Sequence, residues 1–117
     1  MPNYSLPITL IFGPFDPTGS DGLPADAVTC AALGGHALST LTALTPQDSA
    51  KTEAVMACPG EQIDDQARCG LEDIPVQSIK VGALSSTQAV SAVAQIAADY
   101  SEVPLVLHLG LQELNSE

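Results

Sequence analysis

A chain of 117 residues with 45% hydrophobic content has room for one domain, residues 1–117, with a real core, and about 65% of the unfolded surface is expected to be buried at this size. Aromatics make up only 3% and tryptophan is absent, so that core must be mostly aliphatic. With 14 acids against three cations, Lys51, Arg68 and Lys80, the formal net charge is -11, which argues against nucleic acid or an anionic membrane surface as a partner bound through a basic patch.

Cys30, Cys58 and Cys69 are odd in number and lack C-x-x-C spacing, so neither a disulfide framework nor a zinc site is expected. Reduced thiols in a cytoplasmic protein are the reading that fits them. The amino terminus has no basic region followed by an apolar stretch, and no apolar run approaches the roughly 18 residues of a membrane span. The two histidines and the scattered acids show no metal spacing.

In chain order, Pro7 to Phe12 is an apolar run suited to a strand buried on both faces of a parallel sheet. Gly13-Pro-Phe-Asp-Pro-Thr-Gly-Ser-Asp-Gly-Leu-Pro-Ala-Asp26 follows as a glycine- and proline-rich loop running into a helix, Leu23 to Leu33, with Pro24 in its first turn and Gly34-Gly35 ending it. Ala25, Val28, Ala32 and Cys30 or Ala31 supply that helix with a thin apolar stripe. A second strand spans Ala37 to Leu44 and ends in Thr45-Pro-Gln-Asp48, and Glu53 to Ala57 fits a short extra strand.

Pro59-Gly60-Glu61 then opens an acidic helix to about Leu71, with Glu61, Asp64, Asp65 and Glu72 on a solvated face and Asp64 placed to pair with Arg68. Ser78 to Val81 gives a third strand, and Lys80 within it needs an acidic partner. Ser85, Ser86 or Thr87 caps a helix to Tyr100 whose Val90, Val93, Ala94 and Ala97 share one face. Pro104 to Leu109 is a fourth strand ending near His108, and Gly110 to Glu117 is a short tail.

This alternation predicts an α/β fold, a three-layer, mostly parallel sheet with flanking helices and right-handed crossovers. The loop after the first strand lies where free N–H groups and glycine-sized clearance admit a small ligand, although a plain tight connection has the same signature. It is neither G-x-G-x-x-G nor G-x-x-x-x-G-K-[ST], and no Lys or Arg precedes Lys51. Asp16, Asp21 and Asp26 oppose a phosphate, so a neutral or cationic molecule suits the loop better. A last strand close to the carboxyl terminus is expected to leave an open sheet edge, and with it self-association as a homo-oligomer, a dimer first, or a partner chain.

Five blocks in order carry a resemblance: Phe12-Gly-Pro-Phe-Asp-Pro-Thr-Gly-Ser-Asp-Gly-Leu-Pro-Ala-Asp26, Ala31-Ala-Leu-Gly34, Thr42-Ala-Leu-Thr-Pro-Gln-Asp48, Lys80-Val-Gly-Ala-Leu84 and Leu105-Val-Leu-His-Leu-Gly110. They resemble the hydroxymethylpyrimidine and phosphomethylpyrimidine kinases of thiamine biosynthesis, which have a ribokinase-like fold, over the amino-terminal half of that family. The resemblance implies pyrimidine-contacting positions at Gly13, Asp21, Gln47, Ala83 and Gly110. Asp21 stands where the family has a small Ala, Ala83 replaces a Met, Gly110 replaces a Val, and His108 replaces an Asp. The nucleotide pocket, anion hole and catalytic residue lie in the family's other half, so the resemblance implies no catalytic residue here, and ATP and Mg only if that half is supplied. A non-catalytic binding or interaction domain on the same fold is the competing expectation.

Overall fold

The computed structural model describes residues 6–17, 19, 22–44, 56–84 and 86–108. Their elements are β1 (Ile8–Phe15), α1 (Gly22–Ala32), β2 (His36–Leu44), β3 (Met56–Ala57), α2 (Gly60–Asp73), β4 (Ser78–Val81), α3 (Thr87–Asp99) and β5 (Leu105–Leu107). They build one sheet in the order β3-β2-β1-β4-β5. β1, β2, β4 and β5 run parallel, and β3 lies antiparallel on the outer side of β2.

Strand alternation divides the sheet's two faces. Leu10 and Phe12 of β1 and Ile79 and Val81 of β4 pack with Ile63 and Ala67 of α2 and with Ala89, Ala92, Val93 and Ile96 of α3. Full burial of each large side chain in this aliphatic cluster contributes about 1.5–3 kcal/mol, which makes it the main source of stability. On the other face, Lys80 of β4 reaches Asp26 of α1, and Leu23 of α1 lies over Gly13. The expected three-layer α/β arrangement is therefore present.

Three local readings need correction. β1 does not stop at Phe12: Gly13, Pro14 and Phe15 continue the ladder opposite Leu41, Ala43 and Leu44, with a register shift between Gly13 and Pro14 that leaves Thr42 unmatched. The proline at position 14 is accommodated at that irregularity, as prolines in sheets usually are. α1 also presents only part of the stripe expected: Ala25 and Cys30 are partly buried, but Val28 is 69% exposed and Ala32 is exposed, while Leu23 and Asp26 lie toward the sheet. A carboxylate at Asp26 breaks the apolar stripe, and the composition of the helix gives no hint that Lys80 will neutralise it.

α3 is apolar on two sides. Ala89, Ala92, Val93 and Ile96 are its buried residues, whereas Val90 is 52% exposed. Ser86 caps it, its hydroxyl accepting from Ala89 N–H at 3.1 Å. The fourth predicted strand is β5, limited to Leu105–Leu107 and exposed along its whole length.

The outer edge of β2 is closed by α2, where the Gln66 side chain accepts from Leu41 N–H at 2.9 Å and donates to Leu41 C=O at 3.0 Å. Its amide does for one residue what a neighbouring strand would do. Arg68 ties α2 to α3 through Asp64 and Asp99, each at 2.8 Å. Those hydrogen bonds, the one donated to Asp64 first, hold its guanidinium above the ordinary arginine range.

Candidate functional site

The strand order reverses at β1: the chain moves to β2 on one side and later returns to β4 on the other. In an open parallel sheet such a switch point leaves a crevice beyond the carboxyl ends of the two strands, because the following helices depart to opposite faces. The residues that rim it are those at the end of β1, the glycine loop leading into α1, and Gly82-Ala83-Leu84 after β4.

Close backbone contacts fix this rim. Gly82 N–H donates to Phe12 C=O at 2.8 Å, and a Cβ on Gly82 would lie 3.3 Å from the same oxygen. Gly22 has φ +75°, and a Cβ there would stand 2.4 Å from Pro14 O, so only glycine fits. Phe15 and Gly22 form an isolated antiparallel bridge, and Gly19 N–H closes a turn on Asp16 C=O at 2.9 Å. The glycines fold the loop back on β1 and start α1 beside it.

Asp26 Oδ1 and Lys80 Nζ, 2.5 Å apart, fasten α1 to β4 just before Gly82. The acidic partner that Lys80 required is thus Asp26, distant in sequence and adjacent in space. Asp16, 5% exposed, puts a buried carboxyl group in the loop. Sequence reasoning counted Asp16 among the acids of the loop but carried no signal that it would be buried.

Of the implied pyrimidine contacts, Gly13 and Ala83 lie at this crevice. Gly13 is buried in β1, and the Cβ position of Gly82 falls 3.9 Å from its Cα. Ala83 is exposed immediately after β4. Asp21, Gln47 and Gly110 lie outside the described residues, as does the loop Thr45 to Asp48. His108 is exposed at the end of β5, its N–H donating to Val81 C=O at 2.9 Å.

Lys80 and Arg68, the two cations among the described residues, are both committed to carboxylates. Among the described residues no three His, Cys, Asp or Glu side chains cluster to hold a metal ion. These residues do not fit the phosphates of a nucleotide or its magnesium, which need uncommitted cations and grouped oxygen ligands. An apolar groove of about 430 Å³ borders Ala83 and runs between α3 and β5, but its lining has no polar side chain with which to read an amino or ring nitrogen.

The profile of the phosphomethylpyrimidine kinase family matches residues 16–108. A hydroxymethylpyrimidine/phosphomethylpyrimidine kinase of Streptomyces coelicolor is 37% identical over 106 residues, 91% of this chain and 39% of that protein. Another from Mycobacterium leprae is 36% identical over 80 residues, 68% of this chain and 29% of that protein. The crystal structure of a phosphomethylpyrimidine kinase from Clostridium difficile superposes with a TM-score of 0.78 at 30% identity, covering 87% of this chain and 44% of that one. A pyridoxal kinase of Bacillus subtilis shares the fold at TM-score 0.81 and 19% identity, covering 87% of this chain and 40% of that one. The chain thus spans less than half the length of these relatives and matches their amino-terminal part.

Proposed function

The chain belongs to the phosphomethylpyrimidine kinase family, and we propose from that premise that it is a substrate-binding half, holding a hydroxymethylpyrimidine-type ring at the β1–β4 crevice without transferring phosphate alone. The observation that carries this reading is the crevice itself, with Gly22 packed on Pro14 and Gly82 packed on Phe12, in a chain whose residues 16–108 match the family. Gly13, Asp21, Gln47, Ala83 and Gly110 are the proposed contacts. Gln47 is the specificity group, because its amide offers one donor face and one acceptor to an aminopyrimidine edge.

Asp21 favours a protonated or amino-bearing ring over a phosphorylated one, since like charges repel. ATP and magnesium belong to the proposal only where the remaining part of the kinase fold is supplied, and this chain's residues hold the pyrimidine alone. Among the described residues no helix is long and apolar enough to cross a membrane. The free thiols of Cys30, Cys58 and Cys69 support a cytoplasmic setting.

Calorimetric titration of hydroxymethylpyrimidine and its phosphate against wild type and Gln47→Ala tests the reading. Gln47→Ala is expected to weaken binding of the unphosphorylated ring by about 1 to 3 kcal/mol, because polar atoms of the buried ligand lose their partner. Absence of binding by wild type refutes the inherited site and leaves a non-catalytic interaction domain. No phosphorylated product is expected from the chain with ATP and magnesium, and turnover above a no-protein control refutes the non-catalytic part.

A further inference from the structure

We propose that Phe15 is the residue that takes the face of the ring at the crevice, so that the site selects a planar amino-bearing heteroaromatic molecule by stacking as well as by hydrogen bonding. The inference rests on the reading of the crevice as a pyrimidine site and adds to it a contact that the five positions named above do not contain.

The two described contacts leave the face of a ring uncovered. Gly13 has no side chain, and Ala83 offers a methyl group. Small-molecule sites are lined mainly by apolar and aromatic side chains with a few polar groups that fix orientation, and these two residues supply almost no apolar surface. Gln47, the specificity group, addresses the edge of the ring through its amide and not the face.

Phe15 stands where such a surface is needed. It is the last residue of β1, two positions beyond Gly13, and the glycine loop that leaves it folds back to bridge it through Gly22. It is 40% exposed, and it is the one exposed aromatic side chain among the described residues, since Phe12 is buried and Tyr100 half-buried.

A single exposed apolar side chain carries no meaning by itself. This one is the end of a row. β1 and β2 pair Phe15 with Leu44, and β2 and β3 pair Leu44 with Met56. Residues directly opposite one another on paired strands project to the same face, so Phe15, Leu44 and Met56, 40%, 39% and 57% exposed, lie side by side at the carboxyl end of β1 and β2. Leu44 gives the phenyl ring an aliphatic neighbour, which orders the plane before any ligand arrives.

Size and chemistry choose the occupant. Two strand spacings make the row about 10 Å long, the width of one substituted ring. A stable protein contact needs about 800 Å² from each partner, far more than three side chains supply. The row occupies β3, β2 and β1, whereas β5 is at the other edge of the order β3-β2-β1-β4-β5, so an extension of the sheet past β5 adds to the opposite side. A phenyl face, negative in its quadrupole, favours a planar or cationic ring over a saturated or anionic group.

Titration of the 117-residue chain with hydroxymethylpyrimidine, followed by calorimetry and by the proton NMR spectrum of the ligand, tests the assignment. Binding to wild type is expected to move the pyrimidine ring proton upfield through the ring current of Phe15. Phe15→Leu, which keeps an apolar side chain at an exposed position, is expected to abolish that shift and to raise Kd about tenfold. Phe15→Tyr is expected to preserve both. Gln47→Ala is expected to raise Kd while the bound ligand keeps its upfield shift, which separates the face of the ring from its edge. Circular dichroism establishes that each variant is folded. Binding to wild type without an upfield shift, or an unchanged Kd in Phe15→Leu, overturns the role of Phe15 and leaves the pyrimidine site standing. Absence of binding by wild type refutes the site and the role of Phe15 with it.

Discussion

Asp26 Oδ1 lies 2.5 Å from Lys80 Nζ, joining the second turn of α1 to the strand that ends beside the crevice. The pair is half-withdrawn from water, with the carboxylate side chain 14% exposed and the amine 28% exposed. It therefore behaves between a surface ion pair, worth little, and a buried one, where removing one partner strands the other.

Lys80→Met is expected to destabilise the chain by about 1 to 3 kcal/mol in urea unfolding, because Asp26 is left facing the sheet without a partner. The double variant Asp26→Asn, Lys80→Met is expected to recover part of that loss. A single variant as stable as wild type would show that the pair is energetically idle.

The loop glycines separate strain from simple space. Gly22→Ala places Cβ against Pro14 O at positive φ and is expected to cost more than about 2 kcal/mol. Gly19→Ala has φ +76° but nothing within 4 Å, so a loss of about 1 kcal/mol is expected. Gly13→Ala meets only Leu23 Cδ2 at 3.5 Å, an ordinary contact, and is expected to keep wild-type stability. Thermal unfolding of the three variants ranks them, and equal losses would contradict this reading of the loop.

Thr40 and Thr42 point toward the α2 side of the sheet, 1% and 0% exposed, and neither hydroxyl has a hydrogen-bond partner among the described residues. A buried hydroxyl without a partner is destabilising relative to a methyl group of the same shape. Thr40→Val and Thr42→Val are each expected to raise stability by about 1 kcal/mol in denaturant titration. A loss of stability in both would mean that the hydroxyls are satisfied in solution.

Gln66→Ala frees the outward N–H and C=O of Leu41 at the edge of β2. An expected loss of about 1 to 2 kcal/mol follows from two abandoned hydrogen bonds at a partly exposed site. Hydrogen exchange at the Leu41 amide is the direct readout, and it should accelerate more than exchange at Leu10 in the core.

The order of elements, the α/β class and the family were legible in the chain itself, because each depends on local periodicity, turn chemistry and short motifs. The aliphatic runs at Ile8–Phe12 and Ser78–Val81, the Ser86 cap and the glycine-proline loop state their roles within a few residues. Which face of a helix is buried was not legible where several faces carry small apolar residues. Val90, Ala94 and Ala97 of α3 satisfy the same spacing as Ala89, Ala92, Val93 and Ile96, and only the position of the sheet chose between them. α1 gives the sharper case: Asp26 faces the sheet because Lys80, 54 residues later, stands opposite it, and no local rule joins the two. The extension of β1 to Phe15 likewise depends on the register of β2, which a single strand does not contain.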